Sequence, residues 1–282
     1  MALDTAPEDR FIDAGPLRLH YLDWRNDGAP PMLLLHGFSG HAHTWDAFAQ
    51  TVRDRFHVIA LDQRGHGDSD WAPDGAYSPD DHAGDIRAVH ERLGLRAVTL
   101  IGLSMGGRNA IAFTAAHPAK VEKLVIVDIG PDIDPRGAER VGRMAADAPE
   151  EFATPDEAVT YLKRFATVTS PAAEASLRYR VEHGLKRQSN GRFTWKYDRF
   201  LRDQRRKGAT VPVNLWPAVQ KITAPTLIVR GSESDVFAPE TAKRMLELIP
   251  GGRLVEIPGA GHSVPAEAPE AFARAVHDFV GR

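Results

Sequence analysis

The chain contains no cysteine among its 282 residues. This absence excludes a disulfide framework, a thiolate metal site and a cysteine nucleophile. The sequence also has no apolar run near the roughly 18 residues that a membrane-spanning helix needs. The first ten residues are polar and acidic, without an apolar stretch. We therefore expect no signal peptide, no contact with a membrane and a cytoplasmic location.

The chain also has no excess of positive charge. The chain has 35 Lys and Arg against 38 Asp and Glu, a formal net charge of −3, which argues against a nucleic-acid-binding protein. The charge is uneven, because residues 131–217 carry 16 basic and 12 acidic side chains. A basic segment in an acidic protein is able to attract anions, although a solvated helical face is the more common explanation.

Short apolar segments alternate with helical patterns along most of the chain. A β-hairpin over residues 10–24 precedes the first of them. Strands are then predicted at residues 32–35, 56–61, 97–101, 121–128, 225–230 and 253–257. Continuous apolar runs of this length are typical of strands buried on both faces. The alternation predicts an α/β fold whose parallel sheet carries helices on both faces.

The alternation is interrupted at residues 131–217, where the sequence shows no strong strand. Helix-start signals are present instead, such as Thr154-Pro155-Asp156-Glu157, with a capping residue before a proline. We therefore predict a core formed by residues 1–130 and 218–282. Residues 131–217 are predicted to form a helical cap that is inserted after the sixth strand.

A Gly-x-Ser-x-Gly motif, Gly102 to Gly106, lies between a predicted strand and a predicted helix. This is the context in which a nucleophile elbow is found. Side chains at Gly102 and Gly106 would clash with the neighbouring strand and helix in so tight a turn. The motif leaves Ser104 exposed near a helix N-terminus, where free N–H groups favour developing negative charge.

A serine hydroxyl needs a base to remove its proton, and that base needs an orienting group. His262 follows the last predicted strand, and Asp235 follows the strand before it. In a parallel sheet these loops emerge at the same edge as Ser104. We therefore expect Ser104 to be the nucleophile, His262 the general base and then acid, and Asp235 the group that orients the imidazole.

Two other carboxylates are candidates for the orienting group. Asp128 also ends a predicted strand at this edge, and Glu233 lies in the same turn as Asp235. The polar turn before Asp235 favours it, whereas Asp128 is followed by Ile-Gly-Pro.

Taken together, these motifs resemble the α/β-hydrolase fold family over essentially the whole chain. The resemblance implies an eight-stranded, mostly parallel sheet, with the cap after the strand that ends near Asp128. It also implies an oxyanion hole formed by the backbone N–H groups of Phe38 and Met105. The matching segments are His36-Gly37-Phe38, Asp62-Gln63-Arg64-Gly65-His66-Gly67-Asp68-Ser69, Gly102-Leu103-Ser104-Met105-Gly106-Gly107, Gly231 to Asp235 and Gly261-His262.

Serine at the elbow disfavours the haloalkane dehalogenases and epoxide hydrolases of this family, which use aspartate there. The resemblance implies a serine hydrolase of carboxylic esters that acts through an acyl-enzyme. One alternative is hydrolysis of a C–C or amide bond in a small anionic metabolite, such as an (acetamidomethylene)succinate, with cap arginines binding the carboxylate. Another is a non-catalytic binding protein on the same scaffold.

We expect neither a cofactor nor a metal. His41 and His43 form a His-x-His pair, but no third ligand is evident from the sequence. Arg108, after the elbow, is interpreted as a helix-surface residue. The expected partner is a small ester or a related acyl substrate, not nucleic acid or a membrane, and the expected state is a monomer or homodimer.

Overall fold

A computed structural model describes residues 6–166, 171–208 and 212–281. Its main feature is an eight-stranded sheet in the order β1-β2-β4-β3-β5-β6-β9-β10. Strand β2 runs antiparallel to β1 and β4, and the other neighbouring strands are parallel. The predicted α/β sheet is confirmed. The strands are β1 (Glu8–Ala14), β2 (Leu17–Asp23), β3 (Pro31–Leu35), β4 (His57–Leu61), β5 (Val98–Leu103), β6 (Val121–Val127), β9 (Thr226–Gly231) and β10 (Arg253–Ile257), with β7 (Leu185–Arg187) and β8 (Phe193–Trp195) outside this sheet.

Helices cover both faces of the sheet. They are α1 (Asp46–Val52), α2 (Pro79–Arg92), α3 (Met105–Ala116), α4 (Pro135–Ala146), α5 (Pro155–Leu162), α6 (Pro171–Gly184), α7 (Arg199–Arg206), α8 (Trp216–Val219), α9 (Pro239–Leu248), α10 (Val264–Glu267) and α11 (Pro269–Val280). Helices α2, α3, α8 and α9 contribute to the core on one face, and α1 and α11 to the core on the other. None of the described helices combines the length and the apolar character needed to cross a membrane.

The apolar run of β3 shows why the sheet is covered on both sides. Met32 and Leu34 belong to the core beneath α1 and α11, whereas Leu33 and Leu35 belong to the core beneath α2 and α3. Successive side chains of a strand point to opposite faces, so a continuous apolar strand needs a partner layer on each. Each fully buried Leu stabilises the fold by roughly 1.5–3 kcal/mol.

Helix α2 illustrates how local sequence sets the element boundaries. The Ser78 side chain accepts a hydrogen bond from the backbone N–H of Asp81, and Pro79 occupies the first helical position. After the helix, Gly94 adopts a left-handed φ of +60° that a glycine tolerates well. The start and stop predicted from these residues are confirmed.

Residues 131–217, here called the insert, lie between β6 and β9. They contain α4 to α7, and also β7 and β8, which pair antiparallel. The segment predicted to be a helical cap also contains this hairpin, whose strands of three residues each are too short to give a sequence pattern. The insert has a small apolar core that includes Phe152, Tyr161 and Trp195, and Phe38 from the loop after β3 packs against it.

Candidate active site

Ser104 occupies the sharp turn between β5 and α3. Its φ of 53° and ψ of −118° lie outside the helical and strand regions. A Cβ at Gly102 would lie 2.3 Å from the carbonyl oxygen of Gly106, and a Cβ at Gly106 would lie 2.3 Å from that of Leu35. The predicted clash is therefore confirmed, and glycine at both positions allows the turn to close against the neighbouring strand.

Ser104, His262 and Asp128 form a continuous hydrogen-bonded chain. The Oγ of Ser104 lies 2.9 Å from Nε2 of His262, and Nδ1 of His262 lies 2.8 Å from Oδ2 of Asp128. A carboxylate only accepts, so the proton of the neutral imidazole sits on Nδ1. Nε2 is then free to accept a proton from the serine hydroxyl.

Asp128 is held firmly at the end of β6. Its side chain is fully buried, and it accepts hydrogen bonds from the backbone N–H of Gly231 at 2.9 Å and from the hydroxyl of Ser234 at 2.5 Å. The residue itself adopts a left-handed φ of 49°. These bonds satisfy a buried carboxylate that would otherwise be costly, and they fix the oxygen that faces His262.

The expectation that Asp235 orients His262 is wrong in this structure. Arg140, from α4 of the insert, donates through Nε to Oδ2 of Asp235 at 2.6 Å and through Nη2 to Oδ1 at 2.7 Å. The hydrogen bond from Arg140 lowers the pKa of Asp235. Both carboxylate oxygens are thus occupied by a guanidinium, and His262 uses Asp128 instead.

The sequence held a signal for Asp128 that the polarity of the Asp235 turn outweighed. Asp128 directly follows β6, which is hydrogen-bonded to the strand that precedes Ser104, whereas Asp235 follows β9, one strand further away. Neighbouring strands lie about 4.8 Å apart, so the nearer strand end gives the shorter reach. Glu233 is exposed and receives a hydrogen bond from Ser232.

Two backbone N–H groups lie beside Ser104. Met105 is the first residue of α3, and Phe38 follows Gly37, where an added Cβ would lie 3.2 Å from the Cβ of Ser104. Within the described part of the chain, neither N–H has a hydrogen-bond acceptor. Free donors at this place are suited to an anionic oxygen. Their role as an oxyanion hole stays a prediction.

A buried hydrogen-bond network that no sequence pattern predicts supports the loop before Phe38. His36 donates through Nδ1 to the carbonyl of Gly37 at 2.8 Å and accepts the N–H of Gln63 at Nε2 at 3.0 Å. The side-chain amide of Gln63 bonds the carbonyl of His36 and receives a bond from Asn109. Burial lowers the pKa of His36 to about 3, which keeps the ring neutral as this pattern requires.

One group of possible metal ligands exists among the described residues, formed by His20, Asp62 and Asp68. His20 and Asp62 already bond each other at 2.7 Å, and Lys196 bonds Asp68 at 2.6 Å. Asp62 also accepts the backbone N–H of Ala42. The donor set is therefore engaged in linking β2, β4 and their loops.

The His-x-His pair has two separate partners. His41 donates through Nε2 to the carbonyl of Arg180 in α6 at 2.9 Å, and burial lowers its pKa to about 4. His43 bonds Asp46 at 2.8 Å. His41 therefore joins the loop after β3 to the insert.

The sequence predicts Arg108 to be a helix-surface residue, but in the structure it is partly buried. Its guanidinium donates to the carbonyls of Gly130, Pro131 and Val213. It thus fastens the two ends of the insert to the start of α3.

Comparison with known proteins agrees with this fold. A family model described as the alpha/beta hydrolase fold matches residues 30–269, and the chain belongs to that family. It is similar to 2-(acetamidomethylene)succinate hydrolase of Mesorhizobium japonicum, with 29% identity over 99% of both chains. An esterase of Mycobacterium tuberculosis is 32% identical over an alignment that covers 94% of this chain and 87% of the esterase chain. The crystal structure of E-2-(acetamidomethylene)succinate hydrolase superposes with a TM-score of 0.86 at 28% identity and covers 97% of this chain and 99% of that one.

Proposed function

We propose that the protein is a serine hydrolase that cleaves carboxylic esters of small to medium-sized substrates through an acyl-enzyme. The observation that carries this proposal is the hydrogen-bonded chain from Ser104 through His262 to Asp128, with distances of 2.9 and 2.8 Å. The esterase relative supports an ester as the bond that is cleaved.

In the proposed reaction, His262 accepts the proton of Ser104 as the serine oxygen attacks the substrate carbonyl. Asp128 keeps the Nδ1 proton in place and stabilises the imidazolium that forms. His262 then donates its proton to the departing alkoxide, and a water molecule repeats the sequence to release the acid.

The N–H groups of Phe38 and Met105 are proposed to bind the oxyanion of each tetrahedral intermediate. One such donor typically contributes about 3 kcal/mol to transition-state stabilisation. Both donors are backbone groups, so their contribution depends on the loop after β3 and on the start of α3 rather than on side chains.

A second candidate is hydrolysis of a C–C or amide bond in a small anionic metabolite. The full-length similarity to 2-(acetamidomethylene)succinate hydrolase favours it. The same serine, histidine and carboxylate would serve both reactions, since each passes through an oxyanion at a carbonyl carbon. The two candidates differ in the leaving group and are distinguished by substrate.

The test is hydrolysis of p-nitrophenyl esters from acetate to decanoate by the wild type and by Ser104→Ala. We expect turnover that is highest for short acyl chains and falls by at least about 10³-fold in the variant. Labelling of Ser104 by a fluorophosphonate without ester turnover would favour the second candidate, and amide and C–C substrates would then be assayed. If Ser104 is not labelled and no ester is hydrolysed, the result would favour a non-catalytic binding protein and contradict the proposal.

A further inference from the structure

The buried and partly buried arginines of the described residues differ in how their charge is compensated. Arg108 donates to three backbone carbonyls. Arg202 pairs with Glu150 at 2.7 Å, and Arg230 pairs with Glu256 at 2.6 Å. A guanidinium has five N–H donors and keeps its charge at any physiological pH, so compensation of this kind is what burial requires.

Arg180 receives no such compensation from the part of the chain that the structure describes. Among the described residues, its guanidinium has one hydrogen-bond partner, the hydroxyl of Ser39 at 2.9 Å, and no carboxylate within ion-pair distance. Burial lowers the pKa of Arg180, Tyr197 opposes this effect, and Arg140 lowers the pKa by a smaller amount. Arg180 is thus a partly buried cation, and among the described residues only Ser39 accepts a hydrogen bond from its guanidinium.

Arg180 lies beside the loop that carries Phe38. It lies on α6 and, together with Ser39, Tyr161 and Tyr197, lines a cavity between the insert and the loop after β3. Ser39 directly follows Phe38, whose N–H is proposed to bind the oxyanion. The Arg180 guanidinium therefore stands next to the loop that faces Ser104.

A second cation that has no acidic partner in the described part of the chain lies beside the Phe38 ring. The guanidinium carbon of Arg205, on α7, lies 5.7 Å from the centre of the Phe38 ring. No described carboxylate pairs with Arg205, and burial lowers its pKa. Two helices of the insert thus place positive charge beside the loop that contains Phe38 and Ser39.

Removing an ion from water costs several kcal/mol in a folded protein unless a counter-charge and hydrogen bonds offset the loss. For Arg180 the described residues supply one hydroxyl and no counter-charge. A carboxylate is the group that matches a guanidinium best, because its two oxygens accept parallel N–H bonds. The counter-charge that the described residues do not supply would then come from the molecule that binds.

We propose that Arg180 and the hydroxyl of Ser39 form a subsite for a carboxylate of the substrate, and that Arg205 adds to the positive potential there. The substrate class is then a half-ester, or a related monoacyl derivative, of a small dicarboxylic acid. This inference rests on the proposed function, since it concerns the molecule that Ser104 attacks.

The experiment compares a neutral ester, p-nitrophenyl acetate, with an anionic one, mono-p-nitrophenyl glutarate. For the wild type we expect kcat/KM to be at least about tenfold higher for the anionic ester, and free glutarate to inhibit competitively. Arg180→Gln should lower the anionic-to-neutral ratio about 10- to 100-fold, mainly through KM, and Arg180→Lys should restore part of it. Arg178→Gln is the matched control, because it removes a charge from the exposed face of the same helix, where Arg178 pairs with Asp156.

Two results would overturn the subsite. The first is a wild-type enzyme that hydrolyses the neutral ester, shows no preference for the anionic one and is not inhibited by glutarate; this result needs no variant to fold. The second is an equal change of the ratio in Arg178→Gln and Arg180→Gln. Failure of the proposed function itself is distinct, because the wild type would then hydrolyse neither ester and a fluorophosphonate would not label Ser104.

Discussion

Arg140 holds Asp235 with two parallel hydrogen bonds and so joins the insert to the loop after β9, close to His262. The bonds measure 2.6 and 2.7 Å, and a third donor of the same guanidinium reaches the carbonyl of Phe165. The hydrogen bond from Arg140 is the largest cause of the lowered pKa of Asp235, and a protonated His262 would lower this pKa further. Two carboxylates thus lie near the imidazole, and the insert engages one of them.

Exchange of each carboxylate for its amide tests which one serves His262. Asp128→Asn should lower kcat by about 10³- to 10⁴-fold, because an amide can stabilise the wrong tautomer and cannot offset the imidazolium charge. Asp235→Asn should lower it less than about tenfold, because Asp235 does not bond the ring. The measurement is steady-state hydrolysis of p-nitrophenyl acetate, with unfolding curves to show that both variants fold. The reverse order of effects would restore Asp235 as the orienting group.

The energy of the Arg140–Asp235 pair is measurable in a double-mutant cycle with Arg140→Gln and Asp235→Asn. We expect a coupling of about 1 kcal/mol in urea unfolding, the upper end for partly exposed pairs, because the geometry is bidentate. The folded-state pKa of Asp235 is lowered by Arg140. The contribution of ionised Asp235 to the free energy of unfolding is therefore complete above pH ~3.9, the ordinary pKa of an aspartate. It is lost as the pH falls through the pKa of Asp235 in the folded protein. The coupling should accordingly be constant from pH 5 to 8, and a coupling that varies across this range would contradict the assignment.

A buried neutral histidine makes stability fall in mild acid. Burial lowers the pKa of His41 to about 4 in the folded protein. The unfolded chain, with a histidine pKa of about 6.5, binds the proton more readily between these values, so the free energy of unfolding decreases as the pH falls through that window. The contribution of one histidine is at most about 1.4 kcal/mol per pH unit. His41→Gln, which keeps a donor for the carbonyl of Arg180, should flatten the slope between pH 5 and 6 in urea titrations by about that amount. An unchanged slope would mean that His41 titrates normally.

Gly102 and Gly142 lie in different surroundings, and we expect opposite effects when a methyl group is added at each. Gly102→Ala would place a Cβ 2.3 Å from a backbone oxygen and should reduce the free energy of unfolding by at least about 3 kcal/mol. Gly142, within α4, has nothing within 4 Å of an added Cβ. Gly142→Ala should leave the protein as stable or raise its stability by up to about 1 kcal/mol, because alanine favours a helix. Equal thermal shifts for both variants would contradict the tight elbow.

Local patterns in the sequence were sufficient for most of the main sheet. The apolar run of β3 and the capping residues of α2 depend on neighbours within a few positions, and these predictions are confirmed. The elbow followed from the same reasoning, since its glycines mark where backbones approach closely. Elements of this kind are specified by residues that the chain itself places side by side.

The orienting carboxylate could not be chosen in that way. Asp235 was favoured for its polar turn, but its fate depends on Arg140, which is 95 positions away in the sequence. Asp128 in turn owes its position to the N–H of Gly231 and the hydroxyl of Ser234, which follow it by more than 100 residues. Strand ends identify the candidates, and only the three-dimensional packing of distant segments decides between them.

Phe38 belongs to two parts of the molecule at once. Its N–H lies in the loop beside Ser104, while its ring packs in the apolar core of the insert, against Tyr197 at 5.6 Å. In a chimaera that carries a relative's insert, the Phe38 ring would therefore pack poorly against the foreign apolar core. Asp235 would also lose its partner Arg140. Successful transplantation requires Phe38 and Asp235 to travel with the insert, so the natural unit of recombination in this enzyme extends beyond residues 131–217.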